Sequence, residues 1–409
     1  MSDSTVNNDA RSASSKNYEW LIQITNAGTK ETTHDDNQRK GPAFPRVPST
    51  FRDIQLKSDC YDPSSVVSIG PYHHGKEKLE EMEKLKVTYA SQFVKDIKTP
   101  IAEIDREVEA VLSIAKNCYP EDARRNFNDE QLAKMMFIDG CFILQFMHCL
   151  NGENGDLKMS DQQIFHVKRD LLLLENQLPF AVLHSLRTKR YQWLKDLLRE
   201  QSVSLDWSPP PPREEKSGTS YDERQPAHPP PTRQERSGRR DDERHPAHLL
   251  ELLYYKSMYH YSSSNPKQAA KGSRGHCLYY SAKNLKKMGI LFWPRWTGAI
   301  TDVKFKSSIF SGALKVPPII IDEATKSLLL NLVAYETSAA LDQLWVSSYI
   351  CFMDSLIDDA RDVEELRSNG IIINYLGADQ KVANLFNDMG RSMTHDTAAF
   401  FFLRSIILH

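Results

Sequence analysis

The chain has 409 residues, of which 40% are hydrophobic and 26% charged, enough to bury one large core or two smaller ones. Its formal net charge of −2 excludes a global basic field of the kind that gathers nucleic acid or an anionic membrane. The cysteines (Cys60, Cys118, Cys141, Cys149, Cys277 and Cys351) form no Cys-x-x-Cys pair, which argues against zinc ribbons and thioredoxin-like redox sites and leaves them as small core residues in a reducing compartment.

Residues 1–43 are polar apart from "YEWLIQI" and lack a basic-then-apolar leader pattern. They predict a disordered tail with one short docking element and no secretory signal. The chain has no Asn-x-Ser/Thr acceptor, which fits a protein that is not exported. The prolines of "FPRVPSTFRDI" favour extended backbone ahead of a first helix. From Lys76 to Ile97, Leu79, Met82, Leu85, Tyr89, Phe93 and Ile97 recur at three- and four-residue steps, predicting an amphipathic helix with its Glu and Lys residues on the other face. "IAEIDREVEAVLSIAKN" repeats that pattern. Asn128, followed three residues later by Gln131, predicts a capping box at the start of a mostly buried helix, "NDEQLAKMMFIDGCFILQFMHCL". "DQQIFHVKRDLLLLENQLPFAVLHSL" predicts another helix ending near Gln177, since Pro179 disfavours helical backbone at Leu178, with a new helix starting at the proline.

Residues 209–248 hold two tandem copies of one unit, "PPPPREEKSGTSYDERQPAH" and "PPPTRQERSGRRDDERHPAH". Their Lys and Arg are matched in number by Asp and Glu. With almost no apolar residue, this predicts a disordered loop rather than a solenoid or a nucleic-acid arm. Beyond it, "YYSAKNLKKMG" reads as a short helix stopped by Gly289. "DVKFKSSIF" alternates as a strand, and "ALKVPPIIID" reads as an edge strand because of Pro317 and Pro318. "DEATKSLLLNLVAYETSA", "LWVSSYICFMDSLIDD", "DVEELRSNG" and "DQKVANLFNDMG" return to helices, with Gly370 and Gly390 as stops. The fold class is mainly α, with a minor β element and a long disordered insertion. The helical domain comprises residues 44–208 and 249–390, between the 1–43 tail and a short apolar tail at 391–409.

Four places invite chemistry. In "SIGPYHHG", His73 and His74 are adjacent and so point apart, a poor metal pair. The flanking Gly70-Pro71 and Gly75 mark a turn, where an imidazole can cap the helix that follows. In "DLLLLENQLPF", Asp170 and Glu175 resemble an acid/base pair oriented by Asn176 and Gln177, but a hydrogen-bonded helix terminus explains the same residues. Asp139, among apolar neighbours in "MMFIDGCFIL", needs a partner such as Asn176, Gln177 or a backbone N–H, and would then fix how two helices pack. His245 and His248 of "HPAH" imitate metal spacing but sit, like His228, in the repeat. No Gly-x-Ser-x-Gly, Gly-x-Gly-x-x-Gly or Walker loop occurs. No residue is therefore assigned a catalytic, cofactor or metal role.

The strings "RVPSTFRDI", "SIGPYHHGKEKLEEMEKLK", "DLLLLENQLPFAVL" and "SYICFMDSLIDDARDVEELRSNGIIINYLG" resemble the plant-specific family called domain of unknown function 247, in the family's order from about Phe44 to Gly390. The resemblance implies a plant source, a mostly helical domain and no established catalytic residue. It also implies membrane association, because most members end in a spanning helix. Here the final apolar run is about a dozen residues long and contains Arg404, short of the roughly 20 a span requires, so the expectation is a missing anchor and a cytoplasmic chain. Some relatives are linked to self-incompatibility in grasses. The expectation is a non-enzymatic recognition module with a protein partner, no nucleic acid and no cofactor. The alternative is a hydrolase-type enzyme whose site forms only in three dimensions.

Overall fold

The computed structural model describes residues 44–53, 60–61, 66–97, parts of 106–113, 115–151, 158–186, 246–258 and most of 280–393. All lie in the unit Pro42–His409. The tail 1–43, most of the "IAEIDREVEAVLSIAKN" segment, the repeat as far as residue 245 and residues 394–409 are outside the described residues.

The described fold is mainly helical. Helix α1 (Ser49–Asp53) follows the proline segment. A 3-10 turn (Glu77–Leu79) leads into α2 (Glu80–Ile97). After the short α3 (Glu121–Arg124) comes the long α4 (Asp129–Leu150), whose start is the capping box read from Asn128 and Gln131. Among the described residues, α4 is the helix long and apolar enough to cross a bilayer by composition, and it is largely buried inside this fold. Helix α5 (Asp161–Asp170), also opened by a capping box, is followed by α6 (Phe180–Leu186) and α7 (Leu249–Met258). Phe180 N–H donates to Ala247 C=O at 2.9 Å, which ties the start of α6 to the segment that enters α7.

The remaining elements are α8 (Ala282–Lys287), β1 (Ile290–Pro294), β2 (Lys304–Ser307), β3 (Gly312–Val316), β4 (Ile319–Ile321), α9 (Thr325–Ser338), α10 (Trp345–Leu356), α11 (Ala360–Ser368), β5 (Ile372–Asn374) and α12 (Asp379–Gly390). Gly289 and Gly370 take the left-handed conformation that ends α8 and α11. Gly390 differs from its reading as a stop. It is the last residue of α12, and a Cβ there would run into the Asp354 carboxyl. The strand reading also changes at Pro317-Pro318. The prolines separate β3 from β4 instead of marking an edge, and β3 is the centre of a sheet ordered β1-β3-β2. It pairs parallel with β1 and antiparallel with β2, while β4 pairs with β5 in a separate two-stranded sheet.

Two cores result. One joins Phe44, Val67, Ile69 and Tyr89 to the inner faces of α4, α5 and α6. The other joins Val47, Phe51 and Tyr61 to α7–α12 and the sheets. Three short stretches serve both. Phe44, Leu171, Leu178 and Leu249 lie in the first, and Val47, Leu174 and Leu250 in the second. Burying roughly 25 cal/mol per Å2 of apolar surface drives both clusters. The stretches that cross between them must carry their own polar backbone through the interior.

Candidate functional site

Glu175, Asn176 and Gln177 lie on one of these crossing stretches, and Asp139 lies in the first core on α4. Lys86, on α2, belongs to the apolar stripe between Met82 and Tyr89 and is fully buried, whereas the sequence reading put every Lys of this helix on the solvent face. Its Nζ lies 2.7 Å from Asp139 Oδ1 and 2.7 Å from Glu83 Oε1. Asp139 Oδ2 accepts from Gly70 N–H at 2.8 Å, and Glu83 Oε1 accepts from Ser68 Oγ at 2.6 Å. Burial pushes the Asp139 carboxyl up from its ordinary range, while the Lys86 ammonium opposes that shift. Asp139 thus meets a backbone N–H, as its sequence context required, and its charged partner is Lys86 rather than Asn176 or Gln177. Gly140 beside it lets α6 close in, since a Cβ would run into Leu186 Cδ1.

Asn176 and Gln177 hold the crossing segment 171–178. Asn176 Oδ1 accepts from Ile69 N–H at 2.6 Å, and its Nδ2 donates to Asp170 C=O and Val67 C=O at 2.8 and 3.2 Å. Gln177 Nε2 donates to Leu171 and Leu173 C=O at 2.8 and 2.7 Å, and its Oε1 accepts from Leu250 N–H at 3.2 Å. These amides satisfy carbonyls that a longer helix would have used internally. This is why α5 stops at Asp170 and not near Gln177, and why Asp170 and Glu175 are not on one helical run. Leu174 N–H, in the second core, donates to Asn331 Oδ1 at 2.8 Å, and Asn331 in turn donates to Cys60 C=O.

The two carboxylates of "DLLLLENQLPF" have separate partners. Asp170 faces Arg169 Nη2 at 2.7 Å and Val67 N–H at 3.3 Å, and burial raises it against the pull of Arg169. Glu175 accepts from Val47 N–H at 2.9 Å and from Arg52 at 2.7 Å. His73 Nε2 lies 3.9 Å from the same Glu175 oxygen, beyond hydrogen-bond range. His73 Nδ1 is 2.8 Å from Lys76 Nζ. An ammonium only donates, so Nδ1 accepts and the imidazole proton sits on the Glu175 side.

The turn reading of "SIGPYHHG" holds, with Gly70 and Gly75 both at positive φ. The capping reading does not: Lys76 is the N-cap, and no side-chain cap bond forms. His73 is buried in the crossing, and the exposed His74 lies 3.8 Å from Glu83 with its ring against Phe127. Capping falls to His248, placed by sequence in an exposed loop but fully buried here. Its Nδ1 accepts from Glu251 N–H at 3.1 Å at the start of α7, and its ring packs edge-on against Phe44 and Tyr335. His228 and His245 are outside the described residues. Among the described residues, no three His, Cys, Asp or Glu side chains cluster to hold a metal.

The fold and this polar belt define a class: a helix-rich domain of two cores, stitched by buried amides and ion pairs. The chain belongs to the plant family called domain of unknown function 247, whose model, described as "Plant protein of unknown function", matches residues 44–407. It is similar to UPF0481 protein At3g47200 of Arabidopsis thaliana, 28% identical across 86% of this chain and 73% of that protein. It is also similar to Putative UPF0481 protein At3g02645 of the same plant, 24% identical across 91% of this chain and 83% of that one. No solved structure matches.

Proposed function

We propose that this chain is a non-enzymatic recognition module acting through a protein partner, of the kind used in pollen self-incompatibility. One observation carries the reading. The residues best suited to chemistry, Asp139, Asp170, Glu175, Asn176 and Gln177, all bond backbone groups of other segments, and Glu175 and Gln177 reach Val47 and Leu250 of the second core. A catalytic carboxylate needs a free lone pair facing substrate, and these lone pairs face the chain itself. Affinity capture from plant tissue, using the full chain and a variant lacking the first repeat copy (209–228), tests the proposal. A defined partner held in stoichiometric amount is the expected result. Capture of no partner by the intact chain would end the recognition reading.

One arrangement favours the enzymatic alternative. Glu175, His73 and Lys76 stand in the order of orienting acid, base and nucleophile. Yet Arg52 already holds the Glu175 oxygen that His73 faces. Screening the purified chain with ester and amide substrates, beside His73→Gln, decides the matter. Turnover that His73→Gln abolishes would replace the recognition reading.

A further inference from the structure

The sheet β1-β3-β2 buries one face and leaves the other open. On the inner side lie Phe292 and Leu314, fully or nearly buried, with Phe305 beside them in register. On the outer side the register sets Leu291, Ala313 and Lys306 in one row and Trp293, Lys315 and Lys304 in the next. Alternation along a half-exposed strand calls for polar residues at these outward positions. Leu291 is instead 48% exposed and Trp293 53%. Met288, in the turn that enters β1, is 53% exposed as well. Large apolar side chains standing side by side in solvent mark a contact surface.

Among the described residues, the charged side chains that the register sets on this face are lysines. Lys304 and Lys306 are exposed on β2, Lys315 lies on β3, and β1 contributes the apolar groups. Of the carboxylates nearby, Asp302 is occupied by Arg295 at 2.7 Å and lies 3.8 Å from Lys304, and Glu365 is occupied by Lys286. The whole chain carries a formal net charge of −2, so this basic patch is local. Two strand spacings separate the apolar row from the β2 lysines, about 10 Å.

We propose that this outer face docks an acidic segment of a partner protein, its apolar side chains on Leu291 and Trp293 and its carboxylates on Lys304, Lys306 and Lys315. The separation of the two kinds of group is lateral, which suits a segment amphipathic across its width. A bilayer separates charge from hydrocarbon by depth, and would call for lysines ringing an apolar centre. The inference rests on the recognition reading above and assigns its surface.

Selection of a random peptide library on the purified full chain tests it. Enriched peptides should place Asp or Glu beside apolar residues. Their binding should weaken roughly tenfold or more in the Lys304→Glu/Lys306→Glu/Lys315→Glu variant and in Trp293→Ser. Peptides with their acids changed to Lys should regain affinity for the triple variant. Circular dichroism of each exposed-site variant confirms the fold. Enriched peptides that bind the triple variant unchanged would overturn the proposal, as would a selection that enriches none. So would binding to phosphatidylserine vesicles that the triple variant loses while no peptide is enriched. Tissue partners still held by the triple variant would sink this face but leave the recognition reading standing. Absence of any tissue partner would sink that reading itself.

Discussion

The two cores satisfy their buried carboxylates in different ways. In the first, Asp139 sits against Lys86 and Asp170 against Arg169, each also accepting a backbone N–H. In the second, Glu336 accepts from Val346 N–H, Ser347 N–H and Ser347 Oγ at 2.6, 3.1 and 2.9 Å at the start of α10. Asp362 likewise accepts from Lys283, Asp358 and Asp359 N–H. The first core pairs each buried carboxylate with a side-chain cation, Asp139 with Lys86 of another helix and Asp170 with its chain neighbour Arg169, so each charge depends on its partner's presence. The second uses helix N-termini and turns, whose donors come with the backbone. Losing a side chain should therefore hurt the first core most, and in the second Glu336 offers a test by pH.

Lys86→Met should have the largest effect, about 3–5 kcal/mol, because it leaves Asp139 buried without a cation. Adding Asp139→Asn should return most of that loss in urea unfolding. Equal instability of the single and double variants would mean that Lys86 matters for packing and not for charge.

Glu336 sets the pH test. Burial raises its carboxyl from 4.5 to about 7. The native state therefore binds more protons than the unfolded chain across that interval, and stability is present below about 4.5 and lost as pH rises toward 7, by roughly 3 kcal/mol. Glu336→Gln should flatten this slope even if it lowers stability at acid pH. A wild-type midpoint that climbs between pH 5 and 7 would contradict the assignment.

Asn176→Ala should cost about 2 kcal/mol, since Ile69 N–H, Val67 C=O and Asp170 C=O all lose their partner. Hydrogen exchange at Ile69 should speed up in step; an amide that stays protected would show that another acceptor takes over. Gly390→Ala pushes a methyl into Asp354 and should cost about 1 kcal/mol, read as a small drop in melting temperature. Removing residues 209–228 should change stability least, by about 0.6 kcal/mol, because closure cost grows only slowly with loop length. A large loss of stability there would place that copy in the packed interior.

Helices whose signals are local were legible in the sequence. Asn128 and Gln131 cap α4, Gly289 and Gly370 end α8 and α11, and Asp139 in its apolar setting announced a buried partner. Long-range compensation was not legible. Lys86 lies three and four residues from Tyr89 and Met82, on the stripe itself, and one charge in each of two apolar stripes was the signal that could have paired it with Asp139. The end of α5 depended on Asn176 and Gln177 bonding backward to carbonyls, which competes with helix only in the folded chain. The centre position of β3 came from pairing that local propensity does not encode. His248 looked like repeat, and its contacts with Phe44 and Tyr335 are long-range ones that its own unit does not announce.

That last residue bears on how such a chain can change over generations. Both repeat units end in Pro-Ala-His, but His228 is followed by Pro229-Pro230 and His248 by Leu249-Leu250. Gln177 takes its bond from the N–H of Leu250, and the proline at 230 has none to give. The bond to Gln177 therefore needs the sequence that follows the final unit. Units can then be gained or lost upstream by unequal exchange without touching the anchored end, and the length of the segment is free to drift while its point of attachment is not.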